Sequence, residues 1–92
     1  MIMLPAPPRP YTHTLSDAFM AMVKRALLEI ASSADKVRFL EEPLKAEFPD
    51  DPEMRAFAKK NIFVIAKLLC EGHTTIWINR SLSHGLEIYV DE

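Results

Sequence analysis

The sequence is poor in the residues on which common nucleotide-binding and disulfide-stabilised proteins depend. Its 92 residues include two glycines, Gly72 and Gly85, and one cysteine, Cys70. Phosphate-cradling loops need closely spaced glycines, so a P-loop or a dinucleotide-binding fingerprint is excluded. A single cysteine excludes an intramolecular disulfide and suits a reducing compartment, and we expect a cytoplasmic protein.

Long apolar runs and an excess of positive charge are also missing. No run approaches the ~18 apolar residues of a membrane-spanning helix, and no basic segment followed by an apolar one opens the chain. We therefore expect neither secretion nor a membrane partner. The formal net charge is −2 and the pI is near 5.9, which supplies no general attraction to phosphate. Nucleic acid is thus a less favoured partner than protein.

The length and composition indicate one globular domain of the α+β class. With 49% hydrophobic and 26% charged residues, the chain can form a core, but 92 residues leave little room for a deep substrate cleft. Four prolines stand within residues 1–13, which predicts an extended N-terminal segment. Residues 14–92 are then the folded domain.

The longest apolar-rich stretch, residues 54–70, predicts one long central helix. Asp51 and Pro52 form a typical helix start, and Gly72 is a natural residue for the turn after its end. Asn61 falls within its apolar arc, which predicts a buried amide paired with a neighbouring backbone group. Residues 61–66 also fit a buried strand, although length and charge spacing favour the helix.

Two shorter helical regions precede the central helix, so about three helices are expected. Thr14 and Asp17 resemble a capping box and predict the start of the first helix. Residues 34–40 favour a short helix, with a further turn near 43–48. A strand over residues 35–41 remains an alternative, because Val37 and Phe39 alternate with charged residues.

From Thr74 onward the hydrophobic period changes to two, which predicts a C-terminal antiparallel β-hairpin. Pairing Ile78 with Ile88 leaves residues 81–85 as the loop and places Trp77 opposite Tyr89. The second face of the hairpin would then carry both aromatic side chains. They are either a structural cross-strand pair or a half-exposed platform for a partner.

No set of residues in the sequence indicates catalysis or metal binding. Cys70, His73 and His84 match no zinc spacing, and no orienting or oxyanion-stabilising residue accompanies the cysteine. We therefore expect a protein that is not an enzyme and that needs no cofactor or metal.

The leading hypothesis is a small non-catalytic protein-binding module, an inhibitor or adaptor, whose size and composition suggest a phage or mobile element. Phe63 is either part of a second packing layer or an aromatic anchor among lysines. The hairpin edge could also pair with its own copy and form a homodimer. The candidate partner-binding residues are Phe63, Trp77, Tyr89, Lys59 and Lys67.

A winged-helix DNA-binding regulator is the alternative, because helices followed by a hairpin have that layout. The last helix would then enter the major groove, yet its outward face lacks the asparagine, glutamine and arginine side chains that read base edges. The candidate DNA contacts are Arg55, Lys59, Lys60, Lys67 and Arg80.

Overall fold

A computed structural model describes residues 12–81 and 85–91 of the chain. It confirms the α+β class, with five helical segments and a three-stranded antiparallel sheet. In chain order the elements are β1 (Thr12–Thr14), α1 (Asp17–Glu29), α2 (Ser33–Phe39), α3 (Glu41–Glu47), α4 (Pro52–Lys60), α5 (Ile62–Cys70), β2 (Ile76–Ser81) and β3 (Gly85–Val90). The proline-rich residues 1–11 and the centre of the predicted hairpin loop, residues 82–84, lie outside the described residues.

The sheet has the strand order β1-β2-β3. The predicted hairpin register is confirmed, with Ile78 opposite Ile88 and Trp77 opposite Tyr89. β1 was not predicted, and Thr12 and His13 were assigned to the N-terminal segment. They pair instead with Asn79 and Ile78 of β2, because a three-residue strand carries no readable period and is fixed by its long-range partner.

The inward side chains of β2 and β3 share one core with side chains from the helical part of the chain. Ile76, Ile78 and Ile88 are fully buried in this core, while Trp77 and Tyr89 alternate with them and face the other way. No helix in residues 12–81 and 85–91 is long and apolar enough to cross a membrane. The core side chains contributed by the helices and by the residues next to them are Leu15, Phe19, Met20, Val23, Ala26, Leu40, Leu44, Phe48, Met54, Ala58, Ile62, Ile65, Ala66, Leu68 and Leu69.

The prediction of one long central helix is wrong in one respect, because Asn61 divides this segment into α4 and α5. The Asn61 side-chain Nδ2 donates to the Phe57 carbonyl at 2.9 Å, and the Asn61 backbone N–H shares that acceptor at 3.0 Å. The side chain thereby closes the end of α4, as asparagine does when it competes with the helical backbone. The predicted pairing of this amide with backbone is confirmed, but Asn61 is half-buried and not buried as predicted. The strand alternative for residues 61–66 is wrong.

The short helices agree with their predictions, while the first helix begins two residues later than predicted. α2 and α3 occupy the two regions expected to be helical, so the strand over residues 35–41 does not form. Ser16, not Thr14, caps α1, and its hydroxyl accepts from the Phe19 N–H at 3.1 Å. Thr14 is unavailable for this role because it belongs to β1. The predicted Asp51 cap of α4 is confirmed.

Gly72 ends α5 as predicted, in the left-handed region at φ 96°. The His73 N–H donates to the Leu68 carbonyl at 3.2 Å and the Gly72 N–H to the Leu69 carbonyl at 3.1 Å. This is the Schellman arrangement, which satisfies the last carbonyls of a helix.

We expect Gly72→Ala to lower the free energy of unfolding by about 1 kcal/mol, because a β-carbon disfavours the left-handed conformation. Nothing lies within 4 Å of the added atom, so the cost is backbone strain alone. Urea denaturation measures it, with Glu71→Ala as the control, since Glu71 is in the right-handed region. Equal stability of the two variants would contradict the prediction.

Candidate protein-interaction surface

Phe63 is an apolar side chain that the fold leaves in solvent. α5 turns Ile62, Ile65, Leu68 and other aliphatic side chains into the core, and Phe63 projects from its opposite side with 45% of its surface exposed. A second packing layer therefore does not cover it within the described structure. Aromatic side chains are frequent among the residues that carry the binding energy of an interface.

A shallow depression between α1 and α5 adjoins Phe63. Lys36, one of its lining residues, donates from Nζ to the Ala31 carbonyl at 3.2 Å and also to the Ile30 carbonyl. Its ammonium group therefore binds the backbone that follows the end of α1. The volume of about 10 Å³ is too small for a metabolite. The lining residues of the depression are Val23, Ala26, Leu27, Lys36, Leu40, Ile62, Phe63 and Ala66.

Lysines surround Phe63 at helical spacing, with Lys59 and Lys60 before it and Lys67 after it. Helical hydrogen bonds continue on both sides of the break, from Asn61 N–H to the Phe57 carbonyl and from Ile65 N–H to the Asn61 carbonyl, both at 3.0 Å. The three lysines thus lie on roughly the same side of the helices as Phe63.

The charges of these lysines are largely open to solvent. Lys59 makes only a 3.5 Å pair with Glu41, with both side chains about half exposed. Such exposed pairs contribute little to stability. Lys60 and Lys67 form no ion pair with any residue in the described part of the chain. Phe63 therefore has a positive rim, although the whole chain carries a net negative charge.

Trp77 and Tyr89 lie elsewhere, on the side of the sheet that faces away from the helices. Both side chains are half-buried and stand directly opposite each other. The Tyr89 hydroxyl donates to Glu87 Oε2, and Glu87 itself is only 4% exposed. The structure does not bring these two aromatic residues together with Phe63, so the predicted partner-binding residues fall on two separate surfaces.

Two of the five residues predicted as DNA contacts, Arg55 and Arg80, donate to acceptors within the protein. Arg80 Nη2 lies 2.7 Å from Asp51 Oδ2, and its Nη1 contacts Glu53. Arg55 donates to the Phe48 carbonyl at 3.1 Å. The Met54 N–H, and after it Arg80, lower the pKa of Asp51 below its ordinary range despite burial. Arg55 and Arg80 therefore fix the start of α4 relative to α3 and β2.

A polar cluster that the sequence did not reveal joins β1, α1 and α3. Glu47 Oε2 accepts from His13 Nε2 and from the Ser16 N–H, each at 2.8 Å, and Glu47 Oε1 accepts from the Ser16 hydroxyl at 2.6 Å. Burial alone would raise the pKa of Glu47, but hydrogen bonds from Ser16 and His13 outweigh burial and lower it. These residues stand 31 and 34 positions apart, so no local motif signals the cluster.

The order of groups in this cluster differs from that of a serine nucleophile site. In such a site the imidazole lies between the hydroxyl and the carboxylate and takes the hydroxyl proton. Here the carboxylate of Glu47 lies between Ser16 and His13, and the Ser16 hydroxyl also caps α1. The arrangement holds three elements together and does not activate the serine.

Cys70 and His73 belong to no cluster of potential metal-binding side chains in the described part of the chain. Cys70 is exposed at the end of α5, and no group of three or more His, Cys, Asp or Glu side chains in residues 12–81 and 85–91 is arranged to hold a metal ion. His84 lies outside the described residues.

Comparisons with protein-family models, with curated proteins and with solved structures found no match to this chain.

Proposed function

We propose that the chain is a small non-catalytic protein-binding domain, an inhibitor or adaptor that docks on an acidic segment of a partner protein through Phe63. The observation that carries this proposal is the 45% exposure of Phe63 within a rim of lysines. A few residues supply most of the binding energy of an interface, and large aromatic side chains are frequent among them.

The apolar and charged parts of this surface have different effects on binding. Covering Phe63 removes apolar area from water, and complete burial of such a side chain stabilises by roughly 1.5–3 kcal/mol. Lys60 and Lys67 would attract an acidic segment over a distance and raise its association rate more than its final affinity. An acidic partner with an apolar pocket for Phe63 fits both parts.

Phe63→Ala is expected to weaken partner binding at least tenfold while leaving the melting temperature nearly unchanged, because the side chain is outside the core. Tagged wild-type and variant chains are used to capture proteins from the native host, with quantification by mass spectrometry. Each captured candidate is then purified and its affinity is measured by calorimetry. Leu28→Ala is the control, since Leu28 is an 85% exposed apolar side chain on a different helix, α1, with Lys24 before it but no lysine in the turn after it.

Retention of every purified candidate at equal affinity by wild type and Phe63→Ala would overturn the proposal. A loss of binding that follows a loss of thermal stability would assign Phe63 to the core. The double variant Lys60→Glu with Lys67→Glu should slow association and flatten its salt dependence. Retardation of a DNA duplex that this double variant abolishes would instead support the winged-helix alternative.

A further inference from the structure

We propose that two copies of this chain pair antiparallel through β3, in the single register that is centred on Ile88. The product is a six-stranded sheet with both helical layers on the same side. This inference is independent of the Phe63 surface, because it uses the opposite part of the molecule.

The hydrogen-bond phase of the hairpin identifies which backbone groups face outward. The Asp91 N–H donates to the Thr75 carbonyl, so the hydrogen-bonded pairs between β2 and β3 are those with odd residue numbers, such as Tyr89 with Trp77. On the other side of β2, the Leu15 N–H donates to the Ile76 carbonyl, which gives the same phase. The N–H and C=O groups of Leu86, Ile88 and Val90 therefore point away from β2.

β3 is the longer of the two sheet edges and has few features that prevent pairing. It spans six residues against three for β1, and it contains neither proline nor lysine. Among residues 12–81 and 85–91 no strand pairs with its outer side. A regular edge without such residues is a ready template for another strand.

The outward groups allow only a few symmetric registers, and charge selects among them. Centring on Glu87 would place two Glu87 carboxylates opposite each other, and centring on Tyr89 would place Glu87 opposite Asp91 of the second copy. Centring on Ile88 places Glu87 opposite Tyr89 of the second copy. It also uses Leu86, Ile88 and Val90 in both chains, so this register combines the most hydrogen bonds with no opposed like charges.

Inward and outward side chains keep their roles in this arrangement. Directly opposite residues share a face, so the Ile88 side chains of the two copies meet under a joined helical layer. On the outer side, each Trp77–Tyr89 pair continues across the new junction to Glu87 of the second copy.

The first test is the oligomeric state, measured by sedimentation equilibrium over a range of concentrations. Wild type and Leu86→Ala are expected to reach twice the 10.5 kDa mass of one chain. Leu86→Pro is expected to remain monomeric, because proline removes an outward N–H and an edge strand tolerates that loss. A wild-type chain that stays monomeric at several hundred micromolar would overturn the proposal.

The second test reads the register directly and does not depend on proline. In a Cys70→Ser background, Glu87→Cys and Tyr89→Cys chains of different mass are mixed and oxidised. Residues 87 and 89 of the two copies form a non-hydrogen-bonded pair with Cα atoms about 4.5 Å apart, within disulfide range. Mixed disulfides should therefore dominate, and neither variant alone should cross-link efficiently. Efficient cross-linking of either variant with itself, or none in the mixture, would contradict the Ile88-centred dimer.

Discussion

Replacing Phe48 by alanine should lower the free energy of unfolding by about 3–5 kcal/mol, the range for truncating a buried phenylalanine. Phe48 is 2% exposed, and its ring centroid lies 4.6 Å from that of His13 and 6.2 Å from that of Phe19. Its backbone also closes α3 and accepts from Arg55. The ring thus joins the end of α3 to β1 and α1, and its loss leaves a cavity between these elements.

The expected loss is a large part of the total stability. At roughly 0.05–0.15 kcal/mol per residue, a domain of this length is stable by ~5–14 kcal/mol. Urea denaturation followed by circular dichroism gives the difference, and Phe63→Ala is the matched control because it removes the same atoms from an exposed site. Equal losses in the two variants would show that the burial of Phe48 is not what stabilises the domain.

The second large effect is expected for Glu47→Gln, which should lower the free energy of unfolding by about 2–3 kcal/mol at neutral pH. Hydrogen bonds to a charged group contribute on this scale, and the substitution removes the charge. The Glu47 side chain is 9% exposed. Because an ionised carboxylate only accepts, His13 Nε2 and both Ser16 groups must donate to it. Glutamine replaces one acceptor oxygen by an NH₂ group, which faces at least one of these donors.

The contribution of Glu47 should depend on pH in a defined direction. Its pKa is lowered in the folded chain from its ordinary value of 4.5, so its stabilisation is present above 4.5 and is lost as pH falls through the folded pKa. The stability difference between wild type and Glu47→Gln should therefore shrink below pH 4.5. Urea titrations at several pH values measure it, with Glu29→Gln, an exposed helical pair with Arg25, as the control. A difference that is independent of pH would contradict this account.

Local signals in the sequence were sufficient for much of the fold. The Asp51 cap, the Gly72 turn and the hairpin register each depend on residues close to one another in the chain, so period and turn chemistry predict them. β1 and the Glu47 cluster depend on contacts between distant segments, and sequence patterns do not encode such contacts. Asn61 was visible as an anomaly, but its effect required knowing that its amide would bond to the Phe57 carbonyl.

The candidate site divides in the same way. The spacing of Lys59, Lys60 and Lys67 around Phe63 was readable from the sequence, whereas the exposure of Phe63 depended on how α5 packs. The separation of Phe63 from Trp77 and Tyr89 depends on the sheet lying beneath the helices, which no local pattern specifies. The pairing of Arg80 with Asp51 likewise links segments 29 positions apart.

The interruption at Asn61 has a consequence for local unfolding. In a continuous helix, each N–H is protected by the carbonyl four residues earlier, so opening at one end can proceed along the axis. Here α4 packs against α3 and α5 packs against α1, and α4 ends at Lys60 while α5 begins at Ile62, with Asn61 outside helical geometry between them. Opening of α4 can therefore stop at Asn61. We expect α4 and α5 to differ in amide-exchange protection, whereas a single continuous helix would open as one unit.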